Sequence, residues 1–576
     1  MSSSRFEGRE TELNFRHADR WVSKGSAHVR GQVYYDGKLL SQSEFAARVD
    51  AIDSSAALQT FLAESNGFFV LVTTVADRVL IAADHVRSWP LFYGLGDQEV
   101  YISDDAQWVH ERTGEPALDP IAGTEYLHTG FVSADRTLSP TVSQIQAGEV
   151  VEVDLSEATD PVTSSRYWKF ELGNGNRQPS LKELDEYAVS ATERLIEYAD
   201  GRPILLGLSN GYDSRMIALL LYRLGYENVI TYTHDLTAGY AKDEIDAAKS
   251  IADDLGFEHV TVNVDHANFR EFYQSDAWDE FHEAVGYLGS LPDIGEIVML
   301  RKLLSENEID ENAIQIRGHY LYPASARIPE YITKRNTISR DEFVQDIWEG
   351  HYNRWDTHSK EIFSSDPEEI KELRNNIHER IPVDIYQNSE TEPNTKALNG
   401  YIAWLWQERV PKLLSIDYEL DFTGLDKWWP LLDKEYSEFW TEVDYNLVLS
   451  GDLHKSYIEW LDTEIRGEDI DPITEFGGGG TGSYYQLKSV YEKAPPKLRK
   501  RIRRLYFRVS GYLYDDSYEE DPRYGLLSPE TFDQYSLHRL NSKRSNWVAL
   551  HIALLSSDGF IGFNETTEID ATVPER

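Results

Sequence analysis

The chain has 576 residues, room for roughly three to four domains at about 150 residues each. It carries 99 acidic against 56 basic residues, a net charge of −43, which argues against general nucleic-acid binding. It has no cysteine, so disulfides, thiolate metal sites and thiol nucleophiles are excluded, and no apolar run is long enough to predict a membrane span. Aromatic residues make up 12% and hydrophobic residues 41% of the chain, enough for real cores. An acidic surface over such cores suits a protein kept soluble in high salt, where self-repulsion is screened. We therefore expect a halophilic, haloarchaeal-type cytoplasm, and folding that weakens in dilute buffer. The start, Met1-Ser2-Ser3-Ser4-Arg5-Phe6-Glu7, lacks the apolar core of a signal peptide and fits that cytoplasmic reading.

Taken in order, residues 1 to about 175 read as a β meander. Ser43 to Leu62 looks partly helical. The runs Gly67–Val72, Val79–Asp84 and Val100–Asp104 are strand-like, separated by turns at Ala76-Asp77-Arg78 and Gly94-Leu95-Gly96-Asp97. Ser180 to Tyr198 then predicts an amphipathic helix, with Leu184, Tyr187, Ala188, Ala191 and Leu195 on one face.

The most informative stretch follows. The apolar run Ile204 to Leu208 stops at Ser209-Asn210-Gly211-Tyr212-Asp213-Ser214. A helical pattern begins at once, with Met216, Leu219, Leu220 and Leu224 on one face. Strand, tight loop and helix in this order aim backbone N–H groups and a positive helix end at one point, which suits a phosphate. Ser209 and Ser214 add hydroxyls, Gly211 permits close backbone approach, and Asp213 suits a divalent cation bridging phosphates. No Lys-bearing phosphate loop of the G-x-x-x-x-G-K-[ST] type occurs.

Two further strands, Val229–Thr233 and Val260–Val264, flank a helix from Asp243 to Leu255 that Gly256 ends. Asp243 and Glu244 read as helix N-terminal acids. Another strand, Ala313–Arg317, runs into Gly318-His319-Tyr320-Leu321-Tyr322-Pro323. Alternating strands and helices imply a parallel sheet, with ligands at the carboxyl ends of its strands. Within Tyr287–Glu296, Glu296 is the candidate for substrate contact.

The loop resembles the pyrophosphate loop S-G-G-x-D-S of the N-type ATP pyrophosphatases, asparagine synthetase above all. Asn210 stands where that pattern has its first Gly. Upstream, G-F-F-V-L-V, I-A-A-D-H-V-R-S-W-P-L-F-Y and Y-I-S-D-D-A are similar to the glutaminase-like N-terminal domain of asparagine synthetases, with Arg136-Thr137-Leu138, Gly148-Glu149-Val150 and Arg166-Tyr167-Trp168 at its close. The resemblance implies an Ntn-hydrolase-like sandwich at 1–178, a parallel-sheet ATP pyrophosphatase domain at 179–470, and a linker with a helical extension at 471–576.

It also implies ATP and Mg²⁺ as cofactors. Leu206, Gly207, Leu208, Ser209, Asn210, Gly211, Asp213, Ser214 and Thr233 would bind nucleotide, with Asp213 on the metal. The family uses an N-terminal Cys to hydrolyse glutamine; residue 2 here is Ser, so no glutaminase activity is expected. His85 and Arg87 then read as packing residues. A second acidic metal ligand, which the family places after the strand at 313–317, is missing, and Asp235 is a possible substitute.

Farther on, Gln407-Glu408-Arg409, Asp417 and Pro430-Leu431-Leu432-Asp433 keep the family's order. The late lysine on pyrophosphate is expected at Lys412, or else at Lys455. Gly477–Gly482 reads as a flexible linker. The basic segment Lys497–Arg508 reads as docking on the acidic body. The expected activity is an ATP-dependent ligase that adenylates a carboxylate, aspartate or a sugar acid, for attack by ammonia or an amine; a homodimer is possible. The alternative is a catalytically degenerate nucleotide-binding or scaffold protein of the same fold. The β-rich domain before the loop argues against the GMP- or NAD-synthetase type.

Overall fold

The computed structural model describes residues 8–114, 118–172, 176–235, 242–285, 288–307, 309–310, 312–318, 339–352, 367–380, 393–414, 418–467 and 525–526. The expectations for 319–338, Asp417, the glycine run 477–482, the basic segment 497–508 and the rest of the extension to 576, apart from 525–526, lie outside these residues.

The first part contains β1 (Glu10–Asn14), β2 (Val22–Lys24), β3 (Ala27–Tyr35), β4 (Lys38–Leu40), α1 (Gln42–Asp50), α2 (Ser55–Glu64), β5 (Asn66–Val75), β6 (Arg78–Ala83), β7 (Phe92–Leu95), β8 (Glu99–Ser103), α3 (Ala106–Thr113), α4 (Pro120–Thr129), β9 (Val142–Gln144), β10 (Glu149–Asp154) and β11 (Val162–Arg166). A seven-stranded sheet runs β11-β10-β6-β5-β3-β2, with β4 on β3; a four-stranded sheet runs β1-β8-β7-β9.

Strand alternation sorts side chains between layers. Phe68, Val70 and Val72 of β5 share a buried cluster with Tyr93, Val100 and Ile102 of the second sheet. Phe69 and Leu71 face the other way, onto Phe45, Val49, Leu58 and Phe61 of α1 and α2. Phe92 and Val142 pack with Val109 and Tyr126 of α3 and α4. The result is two stacked sheets with helices outside each. Local rules fix the ends: Ser41 and Glu44 form a capping box on α1, and Ala76 takes φ 53° in the β5–β6 turn.

The second part contains α5 (Leu181–Ala199), β12 (Ile204–Gly207), α6 (Tyr212–Arg223), β13 (Val229–Asp235), α7 (Lys242–Leu255), β14 (Glu258–Asn263), α8 (His266–Tyr273), α9 (Asp276–Val285), α10 (Ile294–Glu306), β15 (Ile314–Arg317), α11 (Arg340–Ile347), α12 (Pro367–Arg380), α13 (Pro393–Trp404), a π-helical turn at Leu405–Leu414, α14 (Tyr418–Thr423), β16 (Asp426–Lys427), α15 (Lys434–Thr441), α16 (Tyr445–Ser450) and α17 (Asp452–Arg466). The sheet is wholly parallel, in the order β14-β13-β12-β15-β16, with β12 at its centre. Ile204 and Leu206 of β12 face the cluster that contains α5, α6 and α7; Leu205 faces the one containing α10.

One expectation is corrected here. Helix α6 does not bury a single face: every residue from Ser214 to Leu221 is buried. It lies between the sheet, α5, α7 and α17, so solvent reaches only its ends. The two parts also share a core. Trp428 stacks on Tyr198 at 4.4 Å and meets Phe68 edge-on at 4.9 Å.

Buried polar groups lock the same seam. Asp433 caps α15 through the Tyr436 amide, and Arg194 holds both its oxygens at 2.7 Å. Asn66 donates to it as well. His85 sits 2.6 Å from the Leu432 carbonyl oxygen, and Arg87 donates to the Pro411 carbonyl and to Gln144. His85 and Arg87 are therefore packing residues, as expected. Among the described residues no helix is long and apolar enough to cross a membrane.

Candidate nucleotide site at the end of strand β12

Residues 208–211 join the central strand to α6 at the carboxyl edge of the sheet. The backbone is held on both sides: Leu208 donates to the Tyr232 carbonyl at 2.8 Å, and the Thr233 hydroxyl donates to the Leu208 carbonyl at 2.7 Å. Two serines stitch the loop. Ser209 N–H donates to Ser214 Oγ at 3.1 Å, and Gly211 N–H to Ser209 Oγ at 3.2 Å. Gly211 is the N-cap of α6, and no side chain caps this helix. By contrast, α1 to α5, α8 and α10 each begin under a Ser or Asp side chain. The positive end of α6 thus faces the loop with no side-chain cap of its own. Residues Ser209 to Asp213 keep partial exposure, while Leu208 and Ser214 are buried.

Space around the loop is set by small residues. A Cβ on Gly207 would lie 3.3 Å from the Tyr232 hydroxyl. A Cβ on Gly318, just after β15, would lie 2.6 Å from the Ser214 backbone nitrogen. Gly318 therefore lies directly against the start of α6.

Asp213 stands in the first turn of α6, and its Oδ1 accepts from His454 Nε2 of α17 at 2.7 Å. Arg215, fully buried, donates through Nη1 to Asp462 and through Nη2 to Asn210 Oδ1, the latter at 2.5 Å. Asp462 is also fully buried and accepts from Arg466 at 3.1 Å, which in turn pairs with Asp254. Burial pushes the Arg215 guanidinium below the usual arginine range, and Asp462 opposes that shift. His454, Asp462 and Arg466 lie along α17 at helical spacing; the first two grip α6, and Arg466 reaches Asp254 of α7.

The other expected residues fall in several places. Leu206 is buried in the core one residue before the strand ends, and Thr233 faces the loop from β13. Asp243 and Glu244 occupy the first turn of α7; burial raises the Glu244 carboxyl, with His234 opposing. Glu296 accepts from Gln315 Nε2 at 3.1 Å and pairs with Arg317 at 3.2 Å. Asp235 ends β13.

Lys412 is placed otherwise than expected. Its side chain is fully enclosed, and Nζ donates to Glu408 at 2.7 Å and to the Ala134 carbonyl at 2.9 Å. That is an i,i+4 ion pair within one helical turn, tied to the first part of the chain through the Ala134 carbonyl and N–H, not a group poised over the loop. Lys455 follows His454 on α17.

Sequence reasoning missed His454, Asp462 and Arg466. Asp213 is the acid available for a metal ion at the loop: among the described residues no group of three or more His, Asp or Glu side chains converges. One carboxylate with phosphate oxygens suits Mg²⁺, which keeps much of its water, so the donor set fits. The cavity of about 220 Å³ between the two parts is not this site; Asp36, Glu64, Glu193, Glu197 and Glu435 surround Arg194 there, and no loop residue lines it.

Comparison with known proteins adds four findings. Carboxyethyl-arginine beta-lactam-synthase of Streptomyces clavuligerus is 28% identical over 207 residues, 34% of this chain and 36% of that protein, so the match spans little over a third of the relative. Among solved structures, the NH3-dependent NAD synthetase from Campylobacter jejuni overlays 40% of this chain and 96% of its own at 14% identity and a TM-score of 0.20. The glutamine phosphoribosylpyrophosphate amidotransferase from B. subtilis overlays 52% and 64% at 11% identity and a TM-score of 0.17. Overlays this loose carry no argument. Residues 193–288, the segment that holds the loop, β12, α6 and β13, match the asparagine synthase family model.

Proposed function

We propose that the chain is an ATP-dependent ligase of asparagine synthetase type, and that the 208–214 loop binds the ATP phosphates. The uncapped start of α6, at the carboxyl end of the central parallel strand, carries this reading. Its N–H groups and the hydroxyls of Ser209 and Ser214 would take the β and γ phosphates. A substrate carboxylate would attack the α phosphorus, break the bond to the β-phosphate oxygen, and give an acyl-adenylate and pyrophosphate. Ammonia or an amine would then attack the acyl carbon, expel AMP and lose a proton. Charge develops on the leaving pyrophosphate, where the helix end and fixed donors stabilise it without reorganising. Asp213 would hold Mg²⁺, which supplies charge neutralisation to the phosphates when bound.

Lys455, beside His454, replaces Lys412 as the proposed lysine on pyrophosphate, because Lys412 is enclosed by its pair with Glu408. The first part of the chain takes an Ntn-hydrolase-like role as scaffold. With no cysteine there is no thiol to hydrolyse glutamine, so the amine would come from solution. A carboxylate on aspartate or on a sugar acid is the proposed acceptor.

A second reading, a nucleotide-binding scaffold without turnover, is favoured by one observation: His454 already occupies Asp213. Pyrophosphate release from ATP separates the two, measured in molar salt with a panel of carboxylates and ammonia. The ligase releases pyrophosphate with at least one carboxylate, and Asp213→Ala abolishes it. No release, with ATP binding intact and unchanged in Asp213→Ala, supports the scaffold.

A further inference from the structure

Two aspartates of this protein are held in different ways. Asp433 is shut in: Arg194 holds both of its oxygens, Asn66 donates to one of them, and the residue is 1% exposed. Asp213 meets a single side-chain donor. His454 Nε2 lies 2.7 Å from its Oδ1, among the described residues no donor meets Oδ2, and the side chain is 31% exposed. A carboxylate only accepts, so the imidazole nitrogen that meets it carries the proton. His454 therefore donates to Asp213 and leaves the second oxygen open.

The donor is rigid. His454 lies on the buried face of α17 with Leu453, Tyr457, Ile458 and Asp462, and the Trp440 ring meets it edge-on at 6.2 Å. That face is pinned by the Tyr457 hydroxyl, which donates to Asp185 of α5 at 2.8 Å, and by Asp462 on Arg215. With Oδ1 tied to a fixed ring, the Asp213 carboxylate loses its freedom to rotate. Hydrogen bonds of this kind to a metal-binding carboxylate are worth about tenfold or more in metal affinity.

We propose that His454 is a positioning residue for the metal-binding carboxylate: it fixes Asp213 through Oδ1 so that Oδ2 takes the divalent cation that accompanies the pyrophosphate group. This rests on the nucleotide reading above. It makes the His454 contact a support for the cation rather than an obstruction to it, and it couples the loop to α17.

The test is calorimetric titration of inorganic pyrophosphate into the full chain in molar potassium chloride, with Mg²⁺ and again in excess chelator. The ratio of the two affinities isolates what the cation contributes. His454→Leu removes the donor. His454→Gln places an amide N–H at the reach of the ring Nε2, and His454→Asn offers the same amide too short to reach Asp213. The ratio is expected to fall about tenfold or more in His454→Leu and His454→Asn and to stay within about threefold of wild type in His454→Gln. Affinity in chelator should be the same in all four proteins. The two amides match in polarity, so their comparison stands even if His454→Leu does not fold.

A merely structural His454 predicts lower melting temperatures in the leucine and asparagine variants with the ratio unchanged. That result, with the ratio lowered in Asp213→Ala, overturns this inference alone. A higher ratio in His454→Leu also overturns it, since an obstructing residue would act in that way. No pyrophosphate binding by the wild type under either condition overturns it together with the ligase reading.

Discussion

The pair between Arg215 and Asp462 offers the sharpest stability test, because both side chains are fully buried. Asp462→Ala would strand the Arg215 guanidinium in an apolar setting and remove one partner of Arg466. Breaking a buried ion pair from one side costs about 3–5 kcal/mol. Arg466 keeps Asp254, whose side chain is 49% exposed, so its own loss adds little. We therefore expect Asp462→Ala to lose about 3–5 kcal/mol. In the double variant Arg215→Met, Asp462→Leu, apolar side chains of similar volume replace both charges, and stability should return to within about 1 kcal/mol of wild type. The assay is urea unfolding at constant molar salt, followed by tryptophan fluorescence, with midpoints compared at a common slope. An Asp462→Ala variant within about 1 kcal/mol of wild type would refute the claim that this pair anchors α6 to α17.

Other outcomes follow from single residues. Gly318→Ala places a Cβ 2.6 Å from the Ser214 backbone nitrogen, which cannot rotate away. The loop must shift, so nucleotide affinity should fall at least tenfold while stability falls by about 1–3 kcal/mol; equal affinity by calorimetry would contradict the close approach. Lys412→Met removes the ammonium beside the buried Glu408, which keeps the Ala134 N–H, and should cost about 3–5 kcal/mol in urea unfolding. If stability holds and pyrophosphate release falls instead, Lys412 is catalytic after all. His128 is held neutral: burial lowers its pKa from 6.5 to about 4, and its Nδ1 lies 2.9 Å from the Tyr352 carbonyl. The unfolded chain then binds the extra proton first. This contribution is complete above pH 6.5 and is lost as pH falls toward about 4, up to roughly 3 kcal/mol. His128→Gln should flatten that part of the stability–pH curve, and an unchanged slope would show that His128 is not buried neutral.

How much of this was legible in the chain depends on sequence distance. The strand, loop and second helix around Asp213 are local: an apolar run, Ser and Gly punctuation, then helical periodicity. Leu181–Ala199 carried a Ser180/Glu183 capping box and appeared within one residue of its expected span. Some signals were present but underread. The unbroken run from Met216 to Leu221 already spoke for a helix buried on all sides. Glu408 and Lys412 stand four apart, the spacing of a helical ion pair, and that pairing decided where Lys412 points. Other features had no local signal. His454 lies 241 residues from Asp213, and β16 has only two residues, too short for any periodicity. Asn210 looked like a defect in a glycine loop because its bond to Arg215, five residues on, follows no helical or strand spacing.

The central claim is that the 208–214 loop holds the phosphates of a nucleotide. Calorimetric titration of ATP with Mg²⁺ into the wild type and into Asp213→Asn, in molar salt, tests it most directly. The account predicts one site in the wild type and at least tenfold weaker binding in the variant, with adenosine alone unaffected by the substitution. No ATP binding by the wild type, or identical ATP affinities in the two proteins, would contradict it.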